Sequence, residues 1–154
     1  MRAWLGAGWV RTHETRAEEV RHLWEVAASD LRSAADAAHA VTVRFEYAYN
    51  AALKYCIVAL YAESLRPGQV KDVHHTIIRS LPLTLGAGRE VAADYLDACR
   101  ERRDRLGVDD AQEALHEEDV AALLGFAREL GDDVRAWLAE RHPRFAITAD
   151  LPEP

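Results

Sequence analysis

Four arginines fall within six consecutive positions of an otherwise acidic chain: Arg100, Arg102, Arg103 and Arg105, in CRERRDRLGVDD at residues 99–110. Guanidinium groups grip phosphate and carboxylate oxygens through paired N–H donors, but they keep their protons at neutral pH. They hold an anion and offset its charge; they do not act as acid or base. Histidine is the side chain whose proton moves near neutrality, and His74 and His75 stand together in VHHTIIRS. Arg103, Arg100, Asp104, His74 and His75 are therefore the candidate catalytic set for metal-free chemistry on a phosphodiester. Arg102, with Tyr49, Asn50 and Lys54 of FEYAYNAALKYC, supplies candidate ligand-binding groups.

Where each arginine points depends on the helix that carries it. Around them the apolar stripe is Ala92, Leu96, Cys99 and Leu106, flanked by Tyr95. Arg103 lies four residues after Cys99 and seven after Leu96, inside that stripe. Arg100 and Asp104 sit on its edge, Arg102 on the other flank, and Arg105 on the far side. A lone charge in an apolar setting is strongly unfavourable, so Arg103 needs an acidic partner, a partner subunit or a bound anion. The plain reading is an internal ion pair; the sharper one is an anion pocket. For His74 and His75 the plain reading is a helix start with one ring packed and one solvated.

The elements that position these groups follow from periodicity. Thr15 and Glu18 form an expected capping box. It opens a helix of about six turns with Val20, Leu23, Trp24, Ala27, Leu31, Ala34, Ala35 and Ala38 on one face. A second helix carries Phe45, Ala48, Tyr49, Ala52, Cys56, Ala59 and Leu60 inward, and is apolar on most of its circumference, which places it centrally. RPGQ stops it. A short helix is expected over 74–81, broken before Pro82. A third long helix runs from near Arg89 to Gly107, a suitable left-handed cap. The fourth starts at the acidic EED of 117–119, carries Val120, Leu123, Leu124, Ala127, Leu130, Val134, Trp137 and Leu138, and ends at His142-Pro143. The expected organisation is an N-terminal segment (1–14), a helical domain (15–143) and an irregular tail (144–154). The fold class is all-α, an antiparallel four-helix bundle with an additional short helix.

Composition bounds the rest. The chain has 154 residues, enough for one domain with its own core. A net charge of −7 excludes bulk nucleic-acid binding, so any RNA contact must come from a local basic patch. Cys56 and Cys99 have no zinc or redox spacing and fall among apolar residues, as buried thiols of a reducing cytoplasm do. No stretch approaches the roughly 20 apolar residues of a membrane span, and the start has no apolar run long enough for a signal peptide.

Other motifs carry less. The two Glu-x-x-His pairs, Glu19-His22 and Glu113-His116, lie off the regular apolar stripes, so they do not form a di-metal site. His39, His74, His75 and His116 have no ligand spacing. There is no phosphate-binding glycine loop followed by Lys, and no Gly-x-Ser-x-Gly. No metal and no cofactor is expected.

Taken in order, DLRSA, YAYNAALKYCIVAL, HHTIIRSL, YLDACRERRDRLGVDD and WLAERHP give a chain that resembles the HEPN superfamily (higher eukaryote and prokaryote nucleotide-binding), in its small bacterial members, over residues 15–143. The resemblance implies a helical bundle that forms a homodimer. Many members are metal-independent ribonucleases, acting as toxins beside a minimal nucleotidyltransferase-type antitoxin or in antiviral defence. Their signature is Arg, four to six residues, then His, near the end of the third long helix, with a polar residue, often Asn, after the Arg. Arg103-Asp104 aligns with that pair, and Arg100 with a basic residue one turn earlier. The positions for the histidine hold Val108, Asp109 and Asp110, and the next histidine is His116. The resemblance thus implies a degenerate ribonuclease motif in an RNA- or nucleotide-associated component of a toxin–antitoxin or antiviral system. The alternatives are a non-catalytic dimerisation or protein-interaction module, and an active endoribonuclease that uses His74 or His75.

Overall fold

In a computed structural model, which describes residues 1–106 and 114–148, the chain is mostly helical with one two-stranded sheet. Gly107, Val108, Asp109, Asp110 and Glu113, and the tail from residue 149, lie outside the described residues. The elements in order are α1 (Arg2–Gly6), β1 (Val10–Thr12), α2 (Ala17–Ala35), α3 (Val41–Ala62), β2 (Leu65–Pro67), α4 (Val73–Arg79), α5 (Leu81–Thr84), α6 (Glu90–Arg105) and α7 (Glu117–Arg141), with single 3-10 turns at Ala87–Arg89 and Pro143–Phe145.

The run that is apolar nearly all round, α3, is the centre. Phe45, Ala48, Tyr49, Ala52, Cys56, Ala59 and Leu60 are all buried, as their spacing predicts. The helix packs against α2, α7, α4 and α6. Small residues on its faces let α2 and α7 approach. At Gly131 of α7, an added Cβ would lie 2.8 Å from the Tyr55 ring. The α7 stripe is buried as expected, except Trp137, which is half-buried. Ala35 and Ala38, assigned to the inner face of the first long helix, are exposed.

Local corrections are small and have physical reasons. The α2 cap is shifted by one residue: the Arg16 backbone N–H donates to Glu19 Oε2 at 2.7 Å, and Glu19 also meets His13 Nε2 at 3.1 Å. Thr15, placed in the cap by the sequence pattern, is buried, and its hydroxyl has no partner among the described residues. Pro82 does not merely end the short helix. It sits at the start of a new turn, α5, where its missing N–H is harmless.

Residues 1–14 are more than a leading segment. They form α1 and β1, and β1 pairs antiparallel with β2 in the register Val10↔Pro67, Arg11↔Arg66 and Thr12↔Leu65. Ser64, with φ 59°, turns the chain out of α3 into that pairing. Just beyond the end of this pairing the backbones come so close that a Cβ on Gly68 would lie 2.0 Å from the Gly8 carbonyl oxygen. No helix among the described residues is long and apolar enough to cross a membrane.

Candidate functional site

The C-terminal half of α6 brings its arginines against α3 and the start of α4. The buried residues of α6 are Ala93, Leu96, Asp97 and Cys99, so its inner face is centred one position later than the Ala92 stripe predicts. That rotation changes the order of the arginines. Arg100, expected on the edge, has a side chain 13% exposed, whereas Arg103, expected inside, is 29% exposed.

Arg100 is held by carboxylates. Its Nε donates to Asp97 Oδ1 at 2.8 Å. Its NH1 faces Asp72 Oδ2 at 3.1 Å and Asp104 Oδ2 at 3.4 Å. Asp97 is the hub. The same Oδ1 accepts from His75 Nδ1 at 3.0 Å, and Oδ2 accepts from Arg79 NH2 at 3.2 Å. Burial opposes ionisation of Asp97, but hydrogen bonds from Arg100 and His75 outweigh it and hold its carboxyl below the usual aspartate range. Asp72 caps α4, accepting from the His75 backbone N–H at 3.1 Å.

Arg103 makes the internal ion pair that the plain reading anticipates. Its Nε donates to Glu46 Oε2 at 2.7 Å. Its guanidinium carbon stands 5.1 Å from the centroid of the Tyr49 ring, in cation–π range. Tyr49 is fully buried, and its hydroxyl lies 2.9 Å from His74 Nδ1. Burial pushes the Tyr49 phenol far above its usual pKa, so the group stays protonated. Burial first, then the Arg103 charge, pushes His74 below its usual value. A protonated phenol and a neutral imidazole share this bond in one of two tautomers: with Nδ1 accepting from the phenol, the ring proton is on Nε2.

Arg103, Arg100, Asp104, His74, His75 and Tyr49 are therefore brought together. Three of the candidate ligand-binding residues are not. Arg102 turns to α7, where NH1 donates to Asp119 Oδ1 at 2.8 Å. Lys54 pairs with the buried Asp30 of α2 at 2.8 Å. Asn50 is half-buried on α3 and takes no part in the network among the described residues. Sequence reasoning missed the acids, Glu46, Asp72 and Asp97, and the cation Arg79. Two of them had a helical signal: Glu46 is three residues before Tyr49, and Asp97 three before Arg100, on shared faces.

Guanidinium groups are outnumbered here. Arg79, Arg100 and Arg103 meet the carboxylates of Glu46, Asp72, Asp94, Asp97, Glu101 and Asp104 within 4 Å. An anion competes with these carboxylates for the arginines, and reaches Arg103, 29% exposed, more readily than Arg100, 13% exposed. Among the described residues no three side chains of the metal-ligating kinds converge on one point. Compared with protein-family models, with curated proteins and with solved structures, the chain finds no match in any of the three.

Proposed function

We propose that the chain is a HEPN-like antiparallel four-helix bundle that works as a cytoplasmic homodimer and contacts RNA or nucleotide phosphate without cutting it. It would serve as the degenerate component of a toxin–antitoxin or antiviral system, beside a nucleotidyltransferase-type antitoxin. The observation that carries this reading is the Tyr49–His74–Arg103 group. It puts a neutral imidazole beside the arginine that aligns with the family motif, although the sequence has no histidine four to six residues on.

The same geometry favours binding over cleavage. In the tautomer in which Nδ1 accepts from the Tyr49 hydroxyl, the remaining ring nitrogen carries a proton. Neutral His74 is then a donor to a phosphate oxygen, with no free lone pair to take a proton from a 2′-hydroxyl. The arginines add charge-assisted donors once an entering phosphate exchanges with Glu46 or Asp104.

A second reading, a protein-interaction module, is favoured by the surplus of carboxylates, which leaves the cluster without net positive charge. Fluorescent RNA oligonucleotides separate the readings, by anisotropy at low and high salt and by gels run in chelator. Binding without cleavage, weakened about ten- to a hundredfold by Arg103→Ala, is the expected result. Cleavage lost on His74→Ala would instead make the chain an active endoribonuclease. No binding by the native protein would leave the interaction module.

A further inference from the structure

On the other side of α4, away from Tyr49, a cleft of about 510 Å³ opens against the N-terminal elements. Its volume is in the range of small-molecule sites, about 300–1,000 Å³. Trp4 and Trp9 form one corner, their rings 5.3 Å apart and nearly perpendicular, at 79°. Pro82 and Leu83 face them. Trp9 is 49% exposed, a large aromatic surface left uncovered in the chain.

The charges in the wall decide what such a corner would take. Its two basic groups are already matched. Arg79 gives one guanidinium nitrogen to Asp94 and the other to Asp97, and His75 gives Nδ1 to Asp97. Glu90, at the rim, has no ion pair among the described residues. Asp72 adds a second carboxylate, shared with Arg100. An anion would find both basic side chains of the wall already committed to carboxylates. A cation would find two indole π faces and an unmatched carboxylate, in a chain of net charge −7.

We propose that this cleft binds a small organic cation with an apolar body, a substituted ammonium or guanidinium compound. The charged head lies over the Trp9 and Trp4 rings with Glu90 as counter-charge, and the apolar body rests on Pro82 and Leu83. The proposal is independent of RNA binding at the Arg103 side.

Isothermal titration of the full chain with benzyltrimethylammonium tests it, with benzyl alcohol and benzoate as uncharged and anionic analogues. The cation is expected to bind about tenfold more tightly than benzyl alcohol, with no binding of benzoate. Trp9→Ala should weaken the cation about tenfold. Glu90→Gln should weaken it about threefold and leave benzyl alcohol unchanged. Both side chains are exposed, so thermal melting should stay as in the native protein. The proposal is overturned if benzyltrimethylammonium gives no heat at millimolar concentration, if benzoate binds as well, or if Glu90→Gln leaves the cation's affinity intact. That last variant keeps the test decisive should Trp9→Ala fail to fold.

Discussion

The hydroxyl of Tyr49 on α3 and Nδ1 of His74 on α4 lie 2.9 Å apart, joining two helices through one hydrogen bond over a buried ring. Its partners fix the protonation of the pair. Because His74 sits below its ordinary value of 6.5 in the folded chain, the unfolded chain binds more protons just below that pH. The contribution of His74 to stability is therefore present above about pH 6.5 and declines as pH falls toward its folded value. Urea unfolding at about pH 7.5 and about pH 5.5 should show a larger loss on acidification for the native chain than for His74→Gln. Equal losses would mean that His74 is not held neutral.

Tyr49→Phe removes only the hydroxyl. The half-buried Nδ1 loses its partner, and stability should fall by about 1 kcal/mol, read from chemical denaturation at neutral pH. An unchanged midpoint would mean that the bond is not formed in solution.

Arg100 and Arg103 should trade the ranks that the sequence alone assigns them. Asp97→Asn removes the charge of the closest partner of Arg100, the better buried of the two, and should cost about 2 kcal/mol, less than a fully buried pair because Asp72 and Asp104 remain. Glu46→Gln breaks a pair that is partly solvated and should cost no more than about 1 kcal/mol. Denaturant midpoints of the two variants check the order; a larger loss from Glu46→Gln would reverse it.

Two glycines of α7 should respond oppositely to alanine. At Gly125 an added Cβ meets nothing within 4 Å, so Gly125→Ala should gain up to about 1 kcal/mol of helix propensity. At Gly131 the same Cβ would be 2.8 Å from the Tyr55 ring, itself buried between helices. Overpacking of about 1–3 kcal/mol should then outweigh the propensity gain. Melting temperatures moving in the same direction would show that the α3–α7 contact yields more readily than its packing implies.

Neither cysteine should react in the folded state. Both are free and buried, and burial pushes the Cys56 thiol up to about 12 and Cys99 above its usual value. Modification by a thiol-specific disulfide reagent should follow the rate of unfolding, and speed up in urea. Rapid reaction of one thiol in native buffer would locate an opening near α6, since Cys56 is wholly enclosed.

The long helices and most of their buried residues were legible because a helix's periodicity is local: what α3 and α7 bury follows from three- and four-residue spacing within each. The Pro82 break and the acidic start at 117–119 are local in the same sense. Arg103 as a member of an ion pair was also legible, since a charge in an apolar stripe must be answered. The identity of the answer was not. Glu46 is 57 residues away from Arg103, Tyr49 is 25 from His74, and Asp30 is 24 from Lys54. The one-residue rotation that buries Asp97 and Arg100 in place of the expected face depends on how α6 leans on α4 and α3, and on the energy of gathering several cations around one carboxylate. The β1–β2 pairing joins residues more than fifty positions apart and leaves a signature of only three residues per strand. Sequence by itself determined which long segments are helical and which side chains must be answered. The tertiary structure decided which groups answer them, because ion pairs, strand pairs and ring contacts between distant segments depend on docking, and no local pattern encodes it.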